Sequence, residues 1–250
     1  MSRRTVVAIH QPNFLPWLGF FDKLGQADVF VLLDSVQFPR TSKGTWINRV
    51  KLLVGGAARW ATVPIVRSEG SALAIKDVRI DDSQPWRAKL ARTIELNYRR
   101  APAFEAVFGL VSELLETDDE RIAAFNERNL RRLADALGLD TGKIVRSSDL
   151  DVEGQSTELL IELTLAVGGT AYLPGGDAYR YQEDEKFAAR GIELLPQAFV
   201  HPTYPQAVEP FVPGLSAIDA LMSCGFGPTG DLLRIAPPLR RRSRAAAASR

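Results

Sequence analysis

The stretch from Val6 to Asp34 constrains the fold most. Val6-Val7-Ala8-Ile9 is an apolar, largely β-branched run that ends abruptly in His10-Gln11-Pro12. Residues 16–26 then place Trp17, Phe20, Phe21 and Leu24 at helical spacing, with Pro16 near the start, where its missing N–H does no harm. A second apolar run over 28–33 ends in Asp34. Two apolar strands joined through a helix read as a βαβ unit, because parallel neighbours need a long crossover. Such strands are covered on both faces, so they are continuously apolar rather than alternating.

The rest of the chain extends this pattern. Residues 49–54 and 59–65 read as two strands around the Gly55-Gly56 turn, and 78–80 as a short strand. Helices are expected over 84–99, 102–115 and 119–137, the last capped by Asp118 or Asp119 and stopped by Gly138. A strand over 143–146, a helix over 156–167 and a strand over 170–173 follow. Then come a helix over 183–190, a strand over 192–195 and a short helix about 219–222. The expected fold is α/β, with a parallel sheet of the nucleotide-binding type and a helical insertion. One domain spans 1–227, with the insertion at about 84–138. Beyond Pro228 the composition turns to Pro, Arg and Ala, so 228–250 reads as a flexible basic tail.

Composition narrows the function classes. The chain has 31 basic and 30 acidic residues, a net charge of +1, which argues against a nucleic-acid partner. No apolar run reaches the ~18 residues of a membrane span, and the start lacks a signal-peptide pattern. A cytoplasmic protein acting on a small molecule is expected, with no membrane partner. The oligomeric state is not legible. The single cysteine, Cys224, excludes an intramolecular disulfide, and its flank Leu221-Met222-Ser223 reads as a buried helix end carrying a structural thiol.

Four clusters could carry chemistry. His10, Gln11 and Asn13 stand at a strand end beside a helix start, where free N–H groups attract anions. His10 either exchanges a proton near neutral pH or only orders the loop. Asp34 ends the second strand on the same sheet edge, so a pair with His10 is expected, with Gln37 close by. In Lys43-Gly44-Thr45-Trp46-Ile47-Asn48-Arg49, Lys43, Asn48 and Arg49 could hold phosphate or carboxylate. Trp46 either stacks on a planar ring or packs in the core. Tyr172 to Gly176 is a strand-to-turn segment whose Gly175 and Gly176 permit close backbone approach to a ligand, or make an ordinary turn. His201 and Gln206 follow a strand-like 198–200, and the two histidines could converge. Ser216 and Asp219 read as a helix cap and a first-turn acid. One cysteine and two distant histidines offer too few ligands for zinc, so no metal site is expected.

These motifs together resemble the WbqC-like protein family. The matching pieces are the run from His10 to Lys23, Asp34-Ser35-Val36-Gln37-Phe38 and Trp46-Ile47-Asn48-Arg49. Further along are Tyr172-Leu173-Pro174-Gly175, His201 to Gln206 and Phe211 to Asp219. The chain departs from the commoner pattern at Leu90, where relatives often carry histidine, and at Pro174, where serine is usual. The resemblance implies a role in O-antigen or other surface-polysaccharide pathways, or in specialised metabolism. A second resemblance, to the nucleotidylyltransferase superfamily, rests on the order of elements and on Gly19, with both signature histidines replaced. The expected function is transfer of a group on an activated small molecule: a nucleotide sugar, an amino sugar or an amino acid. His10 would be the base and Asp34 its orienting partner. Any nucleotide would enter as part of the substrate, and no separate cofactor is identified. The alternatives are a nucleotidylyl or adenylyl transferase with a degenerate site, and a non-catalytic sugar-nucleotide-binding protein.

Overall fold

A computed structural model describes residues 4–39, 45–66, 72–175 and 183–234. The element order begins β1 (Val6–His10), α1 (Leu18–Gln26), β2 (Val29–Leu32), β3 (Arg49–Val54) and β4 (Ala57–Thr62). Three helices follow, α2 (Trp86–Tyr98), α3 (Phe104–Leu115) and α4 (Ile122–Ala136). Then come β5 (Ile144–Arg146), α5 (Ser156–Ala166), β6 (Ala171–Leu173), α6 (Asp184–Ala189) and β7 (Glu193–Leu194). The last elements are α7 (Ala217–Cys224) and α8 (Phe226–Arg234).

Five strands form one sheet in the order β5-β2-β1-β6-β7, and every neighbouring pair is parallel. The two-residue period of a strand sends alternate side chains to opposite layers. Val7, Ile9, Val31 and Tyr172 meet Leu159, Ile161, Leu163 and Phe187 on one face. Val6, Ala8, Phe30, Leu32 and Leu173 join the larger core, with Phe20, Phe21 and Leu24 of α1, on the other. Gly169 makes the close approach of α5 possible. A Cβ there would lie 2.4 Å from Val7 Cγ2 and 2.7 Å from the Thr164 carbonyl oxygen.

The chain leaves β1 for β2 and β5 on one side, then returns to place β6 on the other. The β3–β4 hairpin and α2 to α4 are inserted between β2 and β5. Gly55 and Gly56, both at positive φ, make the two-residue hairpin turn.

Several local expectations are corrected. Residues 78–80 form no strand; only isolated bridges join Ile65 to Ile80 and Arg79 to Arg121, after a short 3-10 turn over Ile75–Asp77. Neither Asp118 nor Asp119 caps α4, whose N-cap is Arg121. Asp119 instead accepts from the Thr117 hydroxyl and from Arg128. No strand forms over 198–200. Helix α8 runs through the boundary expected at 228, because Thr229, Gly230 and Leu233 bury one of its faces. No described helix is long and apolar enough to cross a membrane.

Candidate functional site

The loop after β1 is held from three sides. Asn126 of α4 donates from Nδ2 to the Pro12 carbonyl at 2.9 Å and to the Ile47 carbonyl at 2.7 Å. Phe14 N–H donates to the Trp46 carbonyl at 2.9 Å. The Ser216 hydroxyl donates to the Leu15 carbonyl at 2.7 Å, and Ala217 N–H to that of Pro16 at 2.8 Å. Leu15, fully buried, is thereby kept at φ 39°, a left-handed conformation costing about 1–2 kcal/mol that such anchoring over-determines. Ser216 also caps α7, as its position in the sequence suggested.

The sheet edge at this loop carries a buried lysine beside a histidine. Lys23 of α1 is 2% exposed, and its Nζ donates to the Ile9 carbonyl at 2.8 Å. Burial pushes its ammonium down from 10.5 to about 7. His10 holds its Nδ1 3.0 Å from the Gln11 carbonyl. A carbonyl only accepts, so Nδ1 carries the proton, and Nε2 has a lone pair with no partner among the described residues. The ring packs edge-on against Phe20 at 4.7 Å. Burial, and then the Lys23 charge, lower the His10 pKa to about 3, against the opposing bond to Gln11. At neutral pH the imidazole is uncharged, and Lys23 is shared between amine and ammonium.

Lys23 and His10 lie where the strand order reverses. Ala8 pairs with Leu173, so extending the parallel register sets His10 level with Gly175. A Cβ on Gly175 would sit 3.9 Å from Lys23 Nζ. Open parallel sheets bind ligands in this crevice, outside the carboxyl ends of the strands flanking the reversal. Next to Lys23, Asp22 is 2% exposed and accepts through Oδ2 from Gln26 at 2.7 Å and Gln197 at 2.5 Å. Its Oδ1 is buried without a partner, and burial raises its pKa against those two hydrogen bonds.

The expected pair between His10 and Asp34 is not formed. Asp34 turns toward the segment after β5 instead, accepting from the Ser147 hydroxyl, the Ser148 N–H and the Ser148 hydroxyl at 2.8–3.0 Å. Asn48 is likewise engaged in its own loop, accepting from Thr45 N–H and donating to the Val63 carbonyl. Arg49 lies with its guanidinium carbon 4.0 Å above the Trp60 ring. Trp46 meets Trp60 edge-on at 4.9 Å and is 38% exposed, so it is not a core residue. Tyr172 faces away from that crevice, because its strand phase stacks it on Phe187 at 5.2 Å in the other layer. Asn13 is buried, Gln11 stands beside His10, and Gln37 bridges to Ala74. Lys43 and Gly176 lie outside the described residues. Leu90 is buried in α2, and Pro174 accepts from Gln197 N–H at 3.4 Å.

His201 and Gln206 belong to a separate cluster. The His201 ring sits among Trp17, Phe199, Tyr204 and Phe211, with Nε2 buried and unpartnered. Gln206 and Tyr204 donate to Asp219 Oδ2, each at 2.8 Å, and Tyr98 donates to Oδ1 at 2.9 Å. Asp219 is the first-turn acid of α7, as expected, and also the hub of a buried polar network.

Lys23 is absent from the candidates drawn from the sequence. The available signal was a cation inside a nine-residue helix whose residues 18, 20, 21 and 24 are all large and apolar. Charged side chains are rarely fully buried, so one buried in such a helix needs a reason.

Parallel order and helices on both faces define an α/β protein, and the polar groups at the strand reversal make its switch point the candidate site. The chain belongs to the WbqC-like protein family, whose model matches residues 11–229. Over 221 residues it is 28% identical to the uncharacterized protein Rv1507c of Mycobacterium tuberculosis (strain ATCC 25618 / H37Rv), covering 88% of this chain and 94% of that protein. No solved structure matches the chain.

Proposed function

We propose that this protein is a transferase acting on an activated small molecule, a nucleotide sugar, amino sugar or amino acid, in surface-polysaccharide or specialised-metabolite biosynthesis. The observation that carries the reading is the Lys23 amine, buried against the Ile9 carbonyl beside His10 at the switch point. A general base works best with a pKa near the working pH. Lys23, at about 7, meets that condition, and His10, at about 3, does not. The base role therefore passes from His10 to Lys23. Lys23 accepts the proton of the attacking amine or hydroxyl as the new bond forms, and the activating group departs. His10 Nε2 accepts a hydrogen bond from the same nucleophile and orients it. The pathway assignment comes from the family resemblance, and the lysine supports an enzyme over a carrier.

The test is a turnover screen of sugar nucleotides, amino sugars and amino acids, read by mass spectrometry, with thermal shift in parallel. Wild type forms a product; Lys23→Met stays folded, still gives the thermal shift, and turns over at least a hundredfold more slowly. A thermal shift without product from any pair would replace the transferase reading with that of a non-catalytic binding protein. Release of pyrophosphate from ATP or CTP would favour a nucleotidylyl transferase.

A further inference from the structure

We propose that a cavity at the same sheet edge holds the phosphate of a phosphate-ester substrate, with Lys76, Arg121 and Arg146 as its cationic wall. The cavity has a volume of about 210 Å3 and opens between the carboxyl ends of β2 and β5 and the start of α4. The inference names the handle by which the proposed substrate is held, and rests on that reading.

The charge balance of the wall carries the argument. Two acids line the cavity, Asp34 and Glu127, and both are engaged. Asp34 takes three hydrogen bonds from Ser147 and Ser148. Glu127 is held by Arg131 through Oε1 and by Arg146 through Oε2. The cations are less fully engaged. Lys76 Nζ has no partner among the described residues. Among the described residues Arg146 uses only Nε, on Glu127 Oε2, leaving both terminal nitrogens. Arg121 uses one terminal nitrogen, on Asp77 Oδ1 and the Lys76 carbonyl. The unengaged polar groups on this wall are therefore mostly donors.

Ala123 and Ala124, which also line the cavity, add the first-turn amides of α4. Ile122 N–H is taken by the Val78 carbonyl, so the next two amides are the ones left open. Guanidinium and ammonium groups converging from three elements suit a tetrahedral dianion with several acceptor oxygens. The position links this cavity to the reacting centre. Leu32 on its wall is the register partner of His10, and Pro12 follows His10 by two residues.

Calorimetric titration at low salt with UDP, pyrophosphate and inorganic phosphate tests the proposal. Wild type binds UDP more tightly than inorganic phosphate. Lys76→Met and Arg146→Met each weaken UDP binding about tenfold, whereas Lys89→Met on the exposed face of α2 and Lys23→Met leave it within twofold. Lack of heat with every phosphate probe, or unchanged affinity in both cavity variants, would overturn the assignment. Inorganic phosphate binding more tightly than UDP would overturn the ester. If phosphate binding fails while Lys23→Met still abolishes turnover, the subsite is wrong and the transferase reading stands. If the cavity variants lose binding while Lys23→Met turns over normally, the reaction assignment is wrong and the subsite stands.

Discussion

Replacing Lys23 by methionine should make the protein more stable at neutral pH while removing its activity. Moving the ammonium from water into the fold lowers its pKa from 10.5 to about 7. At 1.36 kcal/mol per pH unit this drop corresponds to about 5 kcal/mol of destabilisation at pH values below 7. The sign follows from proton binding. Between pH 7 and 10.5 the unfolded chain holds the lysine proton and the folded chain does not, so stability rises with pH across that window. The penalty is full below 7 and gone above 10.5. Methionine fills a similar volume without the charge, but leaves the Ile9 carbonyl unbonded at a cost of about 1–3 kcal/mol. The net expectation is that Lys23→Met gains about 2–4 kcal/mol at pH 6.5. Urea unfolding followed by circular dichroism at pH 6.5, 7.5, 8.5 and 9.5 measures the difference, in which groups common to both proteins cancel. The advantage should shrink steadily as pH rises. A variant less stable than wild type at pH 6.5, or a difference flat across the series, would refute the reasoning.

Other consequences are open to the same methods. His10, lowered from 6.5 to about 3, is neutral in the fold while the unfolded chain takes up its proton, so stability is lost as pH falls from 6.5 toward 3. His10→Gln should flatten that acid limb, and an unchanged slope between pH 6 and 4 would count against a buried neutral imidazole. Tyr98→Phe strips a hydroxyl that accepts from Leu53 N–H and donates to Asp219, each at 2.9 Å, and should cost about 2–3 kcal/mol in urea unfolding. A loss under 0.5 kcal/mol would show that this network is not satisfied as described. Gly169→Ala forces a Cβ against Val7 and Thr164 and should cost about 1–3 kcal/mol, checked by thermal melting; an unchanged midpoint would contradict the close approach of α5 to β1.

The sheet was largely legible because parallel strands are apolar throughout, so the runs at 6–9, 28–33, 143–146 and 170–173 stand out from their polar flanks. The βαβ reading of the first segment survives in β1, α1 and β2, and the Gly55-Gly56 turn survives as a hairpin. Short elements failed where tertiary contacts decide. The 78–80 segment meets one residue on each side and never builds a ladder. Strand-end placement located His10 and Asp34 at one edge, but not their partners. Asp34 is claimed by two serines more than a hundred residues later, and Tyr172 is turned away by the phase of a three-residue strand. The properties of Lys23 depend on what buries it, which comes from β1, β6 and their neighbours. The cations of the phosphate cavity come from a 3-10 turn, a helix cap and a strand end, a convergence no local pattern encodes.

The most direct test of the central claim is the titration of the protein labelled with 13Cε-lysine, followed by NMR with and without the substrate found by the turnover screen. The account predicts one lysine resonance titrating near 7 and missing from Lys23→Met. That resonance should move when substrate is added. Lysines that all titrate together near 10.5, or a Lys23 resonance indifferent to a substrate the protein turns over, would contradict it.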